Sequence, residues 1–217
     1  SHVTAIDLSL KSLAYAKRKT QELGLSNIEY KQGDILNLPE NHKKFDIIEC
    51  TGVLHHLDEP LTGWETLSNS LKEGGLMLVA LYSKIAREDI TTIRKEIQDT
   101  GITNDEASMK LFRNKIINSD KSYHRRILQS QDFYSLSDFR DLLFHEQEHH
   151  FTLKQIKKCL SSLNLHFCGF ETFDNKNMFK EKNLLADDLY DLDKWNDFEE
   201  KNRSYFSGMY QFWCQKI

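Results

Sequence analysis

The sequence of 217 residues is poor in proline, and its four cysteines form no paired motif. Two prolines and the lack of any low-complexity tract argue against a flexible linker inside the chain. No apolar run is long enough to cross a membrane, and no stretch has the pattern of a signal peptide. Scattered cysteines without a CxxC pair indicate reduced thiols, so we expect a cytoplasmic protein that does not insert into membranes.

The sequence also lacks a strong excess of either charge, because acidic and basic residues are interspersed and the formal net charge is only -4. A general nucleic-acid binder would concentrate basic residues on one surface, so nucleic acid is not indicated as a partner. The hydrophobic content of 39% with 29% charged residues is ordinary for a soluble globular protein. The length suits one domain with an elaboration.

The first 82 residues alternate between short apolar runs and helical patterns. The helical patterns run from Ser9, a candidate cap, to a stop at Gly24, and again over Leu61–Leu71. This alternation predicts an α/β fold with a doubly wound parallel sheet. The four predicted strands, all expected in one sheet, are Val3–Ile6, Asn27–Lys31, Phe45–Cys50 and Leu76–Leu81.

The pattern becomes helical from residue 83 to residue 163, and a capping box at Thr152 and Gln155 marks the start of the last helix there. The sequence thus predicts three parts, namely a core over 1–82, a helical insert or lid over 83–163, and closing strands over 164–217. The predicted helices of the insert are Ile85–Ile97, Asp105–Ile117, Ser135–His145 and Thr152–Leu163. The closing part contains strands at His166–Phe173 and Met209–Gln215 around a helical stretch at Asn175–Ser204.

Polar residues follow three of the predicted strands. Asp7 ends the first, Asp34 follows the second, and Thr51-Gly52 follows the third. Open α/β sheets place their ligands at the carboxyl ends of the strands, so these residues are candidates for a binding site. An acid after a strand also occurs as a simple turn or cap residue, and that alternative applies to Asp7 and Asp34.

The stretch FDIIECTGVLHHLDEP at Phe45–Pro60, with AIDLS around Asp7 and QGDIL around Asp34, resembles class I S-adenosylmethionine-dependent methyltransferases. The resemblance implies a Rossmann-like, mostly parallel sheet with an antiparallel last strand, and S-adenosyl-L-methionine as cofactor. It places Asp7, with Leu8 beside it, at the ribose hydroxyls, and Asp34 at the adenine amino group. A carboxylate can accept two hydrogen bonds from a vicinal diol.

The same resemblance assigns roles to further residues. Ile35 would pack on the adenine ring, and Thr51, Gly52 and Val53 would line the floor near the methionine end of the cofactor. His55 and His56 would border the site of methyl transfer, where a neutral imidazole could take a proton from the nucleophile. The methyl acceptor, a small molecule or a protein, would occupy a pocket to which Tyr82, His145, Glu148 and His149 contribute.

The family's first strand and glycine-rich loop have no counterpart before Val3. We therefore expect the chain to be a fragment, with a gap in its sheet between Val3–Ile6 and Phe45–Cys50. The carboxyl-terminal half, including FYSLSDFRDLLFHEQEHHFTL, is similar to bacterial methyltransferases fused to tetratricopeptide repeats, which implies a repeat domain upstream.

Two other functions compete with this interpretation. The segment His145-Glu146-Gln147-Glu148-His149 spells H-E-x-x-H, which on one continuous helix would indicate a zinc peptidase. The capping box at Thr152 predicts that a new helix begins there, so we expect a break before it and no zinc. The missing glycine-rich loop favours the second alternative, a non-catalytic binding module built on a methyltransferase scaffold.

Overall fold

Two hydrogen-bonded sheets form the framework of the protein in the computed structural model, which describes residues 1–38, 44–145, 147–171 and 186–217. In the first sheet, β1 (Val3–Asp7) pairs in parallel with β2 (Ile28–Gln32). The second sheet has four strands in the order β3-β4-β6-β5. They are β3 (Phe45–Thr51), β4 (Leu71–Tyr82), β5 (Leu165–Phe170) and β6 (Met209–Lys216).

The prediction of a single sheet for the first four strands is wrong, since β1 and β2 make no ladder with β3 and β4. The two sheets are separated between β1 and β3, which are both edge strands of their own sheets. The gap expected from the sequence was at this position. The α/β class and the antiparallel last strand are confirmed, because β3 and β4 run parallel while β6 runs antiparallel to β4 and β5.

The sequence pattern located the first two helices well. The helix α1 (Leu10–Glu22) begins where Ser9 Oγ accepts a hydrogen bond from the Ser12 amide, and Gly24 follows its end at φ +72°. The next helix, α2 (Pro60–Ser70), packs closely on the loop that follows β3. A Cβ on Gly63 would lie 2.3 Å from Leu57 Cδ1, so a larger residue at this position would displace the Leu57 side chain.

The strand β4 begins at Leu71, five residues earlier than predicted. Gly74-Gly75 precedes the predicted strand, but it lies inside the observed strand, where the pairing is irregular. Phe45 pairs with Leu71 and Ile47 with Leu76, so the register shifts there, and Gly74 adopts φ +74°. Glycine tolerates this left-handed backbone without steric cost.

The helical insert has a hydrophobic core of its own. Its helices are α3 (Glu88–Thr100), α4 (Glu106–Ile117), α5 (Ser122–Ile127) and α6 (Leu136–Phe144), of which α5 was not predicted. Residues from all four helices, including Ile93, Phe112, Ile127 and Phe139, form this core. It is separate from the core around the four-stranded sheet, which includes Trp64, Met77, Trp195 and Phe212.

The remaining helices cover the four-stranded sheet. The helix α7 (Leu153–Ser162) begins with the predicted capping box of Thr152 and Gln155. In the predicted helical stretch at Asn175–Ser204, residues 175–185 lie outside the described part, and the rest forms a 3-10 turn at Ala186–Tyr190 and the helix α8 (Leu192–Lys201). Among the helices described, none is both long and apolar enough to span a membrane.

Candidate active site

Asp7 and Asp34 lie at the carboxyl ends of neighbouring parallel strands, so both are at the same edge of the first sheet. Asp34 caps the 3-10 turn at Ile35–Asn37, and its two carboxylate oxygens accept hydrogen bonds from the Leu36 amide and the Asn37 side chain, both at 3.0 Å. Asp7 Oδ1 accepts from the Ser9 amide at 2.7 Å. Both acids therefore serve local turns, and Asp7 has fewer bonds to the described residues than Asp34.

The side chains next to these acids differ in burial. Leu8 is 64% exposed. Ile35 is half-buried against the core of the four-stranded sheet, and its Cγ2 approaches the Cβ position of Gly63 to 3.7 Å. Leu8 thus exposes apolar surface to solvent, whereas the side chain of Ile35 is partly buried.

The backbone at the end of β3 is open. Thr51 is exposed, Gly52 adopts φ +76°, and Val53 is 39% exposed. A Cβ on Gly52 would meet no atom within 4 Å. The carboxylate of Asp7 and this open turn are both accessible to solvent.

The two histidines after β3 have different surroundings. His55 is fully buried, and its ring lies on the ring of Tyr82 at a centroid distance of 3.9 Å. Burial lowers the pKa of His55 to about 3, so the ring is neutral at physiological pH. His56 is half-buried, and its Nδ1 lies 3.0 Å from the carbonyl oxygen of Gln147.

A cavity of about 360 Å³ opens between the insert and the carboxyl end of β4. Three aspartates belong to its wall, and among the described residues no cation lies within ion-pair distance of them. The cavity therefore combines acidic groups with two imidazoles, a phenol and the guanidinium of Arg87. Its lining residues are His56, Tyr82, Arg87, Asp132, Asp138, Asp141, Leu142 and His145.

The segment Gln147–Phe151, here called the crossing segment, connects the insert to the sheet. The His149 amide donates to the His55 carbonyl, and the Phe151 amide donates to the Tyr82 carbonyl, both at 2.8 Å. Ser83 and Phe151 also form an isolated parallel bridge. The insert thus leaves the sheet at the end of β4 and returns to the same place.

Glu148 anchors the crossing segment through a buried ionic cluster. Its side chain is 1% exposed, and Arg87 binds it bidentately through Nε at 2.9 Å and Nη2 at 2.7 Å. Arg94 Nη2 lies 2.8 Å from Oε2 and His150 Nε2 lies 2.6 Å from Oε1. Burial by itself would raise the pKa of the Glu148 carboxyl, but the His150 and Arg87 hydrogen bonds and the two arginine charges hold that pKa below its usual range.

The structure brings together three of the residues expected near the acceptor, since His56, Tyr82 and His145 line one cavity. Glu148 lies behind Arg87, whose guanidinium stacks on the Tyr82 ring at 3.8 Å. The His149 ring contacts Gln147 Nε2 at 3.2 Å. Neither Glu148 nor His149 is among the residues that line the cavity.

The H-E-x-x-H segment does not form the helix that a zinc peptidase requires. The helix α6 ends at Phe144, His145 has an extended backbone with φ -64° and ψ 134°, and helix resumes only at Leu153. Glu146 lies outside the described residues. Within the described ranges, no group of three or more His, Cys, Asp or Glu side chains is arranged to hold a metal ion.

Several residues of the site were missed by the sequence analysis. Arg87, at the N-cap of α3, and Arg94, within α3, are seven residues apart and both reach Glu148, so helical spacing was the signal that could have paired them. Asp138 and Asp141 are three residues apart on α6, a spacing that puts them on one helical face, whereas Asp132 lies outside that helix and reaches the cavity only through the packing of the insert.

Comparisons with known proteins find similar sequences and similar folds. Residues 1–139 match a family model described as a methyltransferase domain. An uncharacterized protein of Synechococcus sp. is 26% identical over 212 residues, which cover 91% of this chain and 50% of that protein. A ubiquinone biosynthesis O-methyltransferase of Actinobacillus pleuropneumoniae is 31% identical over 87 residues, 38% of this chain and 37% of the relative.

Solved structures share the fold. PKMT2 from Rickettsia typhi in complex with AdoHcy aligns with a TM-score of 0.68 at 19% identity, over 99% of this chain and 44% of that one. A putative S-adenosylmethionine dependent methyltransferase from Listeria monocytogenes aligns with a TM-score of 0.56 at 14% identity, over 100% of this chain and 80% of that one. The chain spans half or less of the Synechococcus and Rickettsia proteins.

Proposed function

Since this chain belongs to the methyltransferase domain family, we propose that the protein transfers a methyl group from S-adenosyl-L-methionine to an acceptor in the cavity beside His56. The observation that carries the proposal is the placement of Asp7 and Asp34 at one edge of the first sheet, at the carboxyl ends of adjacent parallel strands. Ligands of open α/β sheets bind at this edge.

The described residues fit the nucleoside part of the cofactor. Asp7 would accept hydrogen bonds from the two ribose hydroxyls, with Leu8 beside it, because its carboxylate is exposed and makes one hydrogen bond within the turn. Asp34 would receive the adenine amino group and Ile35 would contact the ring. Thr51, Gly52 and Val53 would lie below the methionine end.

The cofactor supplies a methyl group already activated on a sulfonium, so the protein contributes mainly alignment. The acceptor would lie in the cavity lined by His56, Tyr82 and His145. The carboxylates of Asp132 and Asp138 would repel an anionic acceptor and attract one with positive charge. The insert forms one wall of this cavity and would exclude water from it.

Isothermal titration of the full-length protein with S-adenosylhomocysteine tests the proposal. A charge-assisted hydrogen bond contributes about 1.5–3 kcal/mol, so Asp7→Ala should weaken binding at least tenfold, since about 1.4 kcal/mol is a factor of ten. Ser9→Ala is the matched control, because it removes the helix cap next to Asp7 but leaves the carboxylate in place.

The outcomes separate the site assignment from the function. Equal affinity of the wild type and Asp7→Ala would reject Asp7 as the ribose ligand. If the full-length wild type did not bind S-adenosylhomocysteine at all, the methyltransferase proposal would fail and the non-catalytic binding module would replace it.

A further inference from the structure

The backbone of Gln147 contacts two stacked imidazoles of the cavity wall. The rings of His56 and His145 stack with a centroid distance of 4.1 Å and an interplanar angle of 30°. The Gln147 carbonyl oxygen lies 3.0 Å from His56 Nδ1, and the Gln147 amide donates to His145 Nδ1 at 3.3 Å. One residue of the crossing segment therefore contacts the same ring nitrogen of both histidines, but with opposite polarity.

This polarity determines where the protons are. A carbonyl oxygen only accepts, so His56 must carry its proton on Nδ1 and keep a lone pair on Nε2. An amide N–H only donates, so His145 must keep its lone pair on Nδ1 and carry its proton on Nε2 when neutral. The Nε2 atom of His56 can therefore accept a proton, and the Nε2 atom of His145 can donate a hydrogen bond.

We propose that the Gln147 backbone holds His56 and His145 in opposite tautomers, and so presents to the acceptor a proton-accepting Nε2 from His56 and a hydrogen-bond donor from His145. Both histidines line the cavity. His55 takes no part, because it is fully buried and does not belong to the cavity wall. Gln147 is a positioning residue, and its role rests on the function proposed above.

Gln147 is held in place from both sides. Its side-chain Nε2 lies 3.4 Å from the Leu57 carbonyl and 3.2 Å from His149 Nε2. Two residues further on, the His149 amide donates to the His55 carbonyl. The loop after β3 and the crossing segment are thereby fixed to each other, which keeps the backbone of Gln147 aligned with the two rings.

The electrostatic surroundings keep His56 neutral. Burial lowers its pKa, the hydrogen bond to Gln147 acts in the opposite direction, and His145 lowers it further. Glu148 raises the pKa of His56 and Arg87 lowers it, and Asp132, Asp138 and Asp141 line the same cavity. The balance lies below the ordinary value, so Nε2 is free to accept a proton at neutral pH.

The proton has a defined path in methyl transfer. The acceptor atom gives its proton to His56 Nε2 and uses the freed electron pair to bond the methyl carbon, while the carbon–sulfur bond breaks with its electron pair on sulfur. His145 Nε2–H donates to the acceptor and holds it in place. A general base of this kind contributes typically about 10²–10⁴-fold to the rate.

The test is nitrogen NMR of the protein labelled with ¹⁵N-histidine, which reports the tautomer of each ring without cofactor or acceptor. We expect His56 with its proton on Nδ1 and His145 with its proton on Nε2 at neutral pH. His166, exposed on β5, is the internal control for a histidine in solvent. The same tautomer on both rings, or a protonated His56 at neutral pH, would overturn the proposal.

Two variants of Gln147 separate its backbone from its side chain. Gln147→Ala keeps the amide and the carbonyl, and the bond from the His149 amide to the His55 carbonyl still fixes the crossing segment, so both tautomers should persist. Gln147→Pro lacks the amide side chain, as Gln147→Ala does, and also lacks the backbone N–H donor, so, compared with Gln147→Ala, His145 should show a mixture of tautomers while His56 keeps its proton on Nδ1. Loss of the His56 tautomer in Gln147→Ala would contradict the assigned role of the backbone.

A chemical probe covers the case in which Gln147→Pro fails to fold. Diethyl pyrocarbonate acylates unprotonated imidazole nitrogen, so peptide mass spectrometry of the wild type at pH 7 should find His56 modified and His55 protected. Modification of His55 without His56 would overturn the choice between them. Titration of the same samples with S-adenosylhomocysteine tests cofactor binding separately, so failure of the proposed function remains distinguishable from failure of this inference.

Discussion

The two edges of the candidate site belong to regions that are packed very differently. Residues 1–38 carry Asp7 and Asp34, and Leu13 is the single buried side chain among them. The strand β4, which ends at Tyr82 beside the cavity, lies in the middle of a buried core. Its buried residues include Leu71, Met77, Val79, Ala80 and Leu81. Because burial of apolar surface is the dominant favourable term in folding, the four-stranded sheet supplies the stability.

The difference implies that the first region contributes mainly to ligand binding and the second mainly to folding stability. At the first sheet, side chains are free to meet a ligand, and substitutions should change binding more than folding. At the second sheet and the crossing segment, the same kinds of substitution should change folding first. Each prediction below therefore compares a change in the packed region with a matched change in the exposed one.

The largest effect is expected from the centre of the four-stranded sheet. Phe212 on β6 is fully buried and contacts Trp64, Phe167 and Phe170. Phe212→Ala should lower the free energy of unfolding by about 3–5 kcal/mol through lost burial and a cavity. Leu8→Ala, at a side chain that is 64% exposed, should change it by no more than about 0.5 kcal/mol. Urea denaturation measures both, and a similar loss for the two variants would refute this difference between the regions.

A carboxylate-to-amide change provides the second comparison. Glu148→Gln leaves Arg87 and Arg94 without their buried counter-charge and should lower the free energy of unfolding by about 3 kcal/mol. Asp34→Asn should leave stability nearly unchanged, because asparagine caps a helical turn as well as aspartate does. The same denaturation experiment decides, and equal stability of Glu148→Gln and the wild type would show that the ionic cluster is not what anchors the crossing segment.

The sequence predicted the elements whose apolar spacing is regular, and the cap residues at their starts. The Thr152 capping box and the break before it follow from local chemistry, which is why the helix interruption in the H-E-x-x-H segment was foreseen. The predicted start of β4 at Leu76 was wrong, because Gly74-Gly75 is compatible with a turn as well as with an irregular strand. Local signals do not distinguish the two, since the register shift depends on the pairing with β3.

The candidate site was only partly predictable for a related reason. Tyr82, His56 and His145 could be placed near the acceptor by resemblance, and they line the cavity. The partners of Glu148 could not, because Arg87 and Arg94 are about 60 and 54 residues away in sequence and meet it only after the insert has folded back onto β4. A contact between distant segments leaves no periodicity within either of them.

The smallest effect concerns pH and again contrasts a buried with an exposed group. The pKa of His55 falls from 6.5 to about 3 on folding, because burial disfavours the charged ring. Below pH 6.5 the unfolded chain binds a proton that the folded protein does not, so His55 lowers stability as pH decreases. The slope is about 1.4 kcal/mol for each pH unit between 6.5 and 3.

His55→Phe keeps an aromatic ring against Tyr82 but has no group to protonate. Its free energy of unfolding should therefore fall less steeply than that of the wild type between pH 6.5 and pH 4.5. Leu8→Ala, at an exposed side chain of the first region that has no titratable group, should keep the wild-type slope. The measurement is urea denaturation at several pH values. If the free energy of unfolding changed equally with pH in the wild type and in His55→Phe, His55 would be protonated in the folded protein. Its description as a buried, neutral ring would then be wrong.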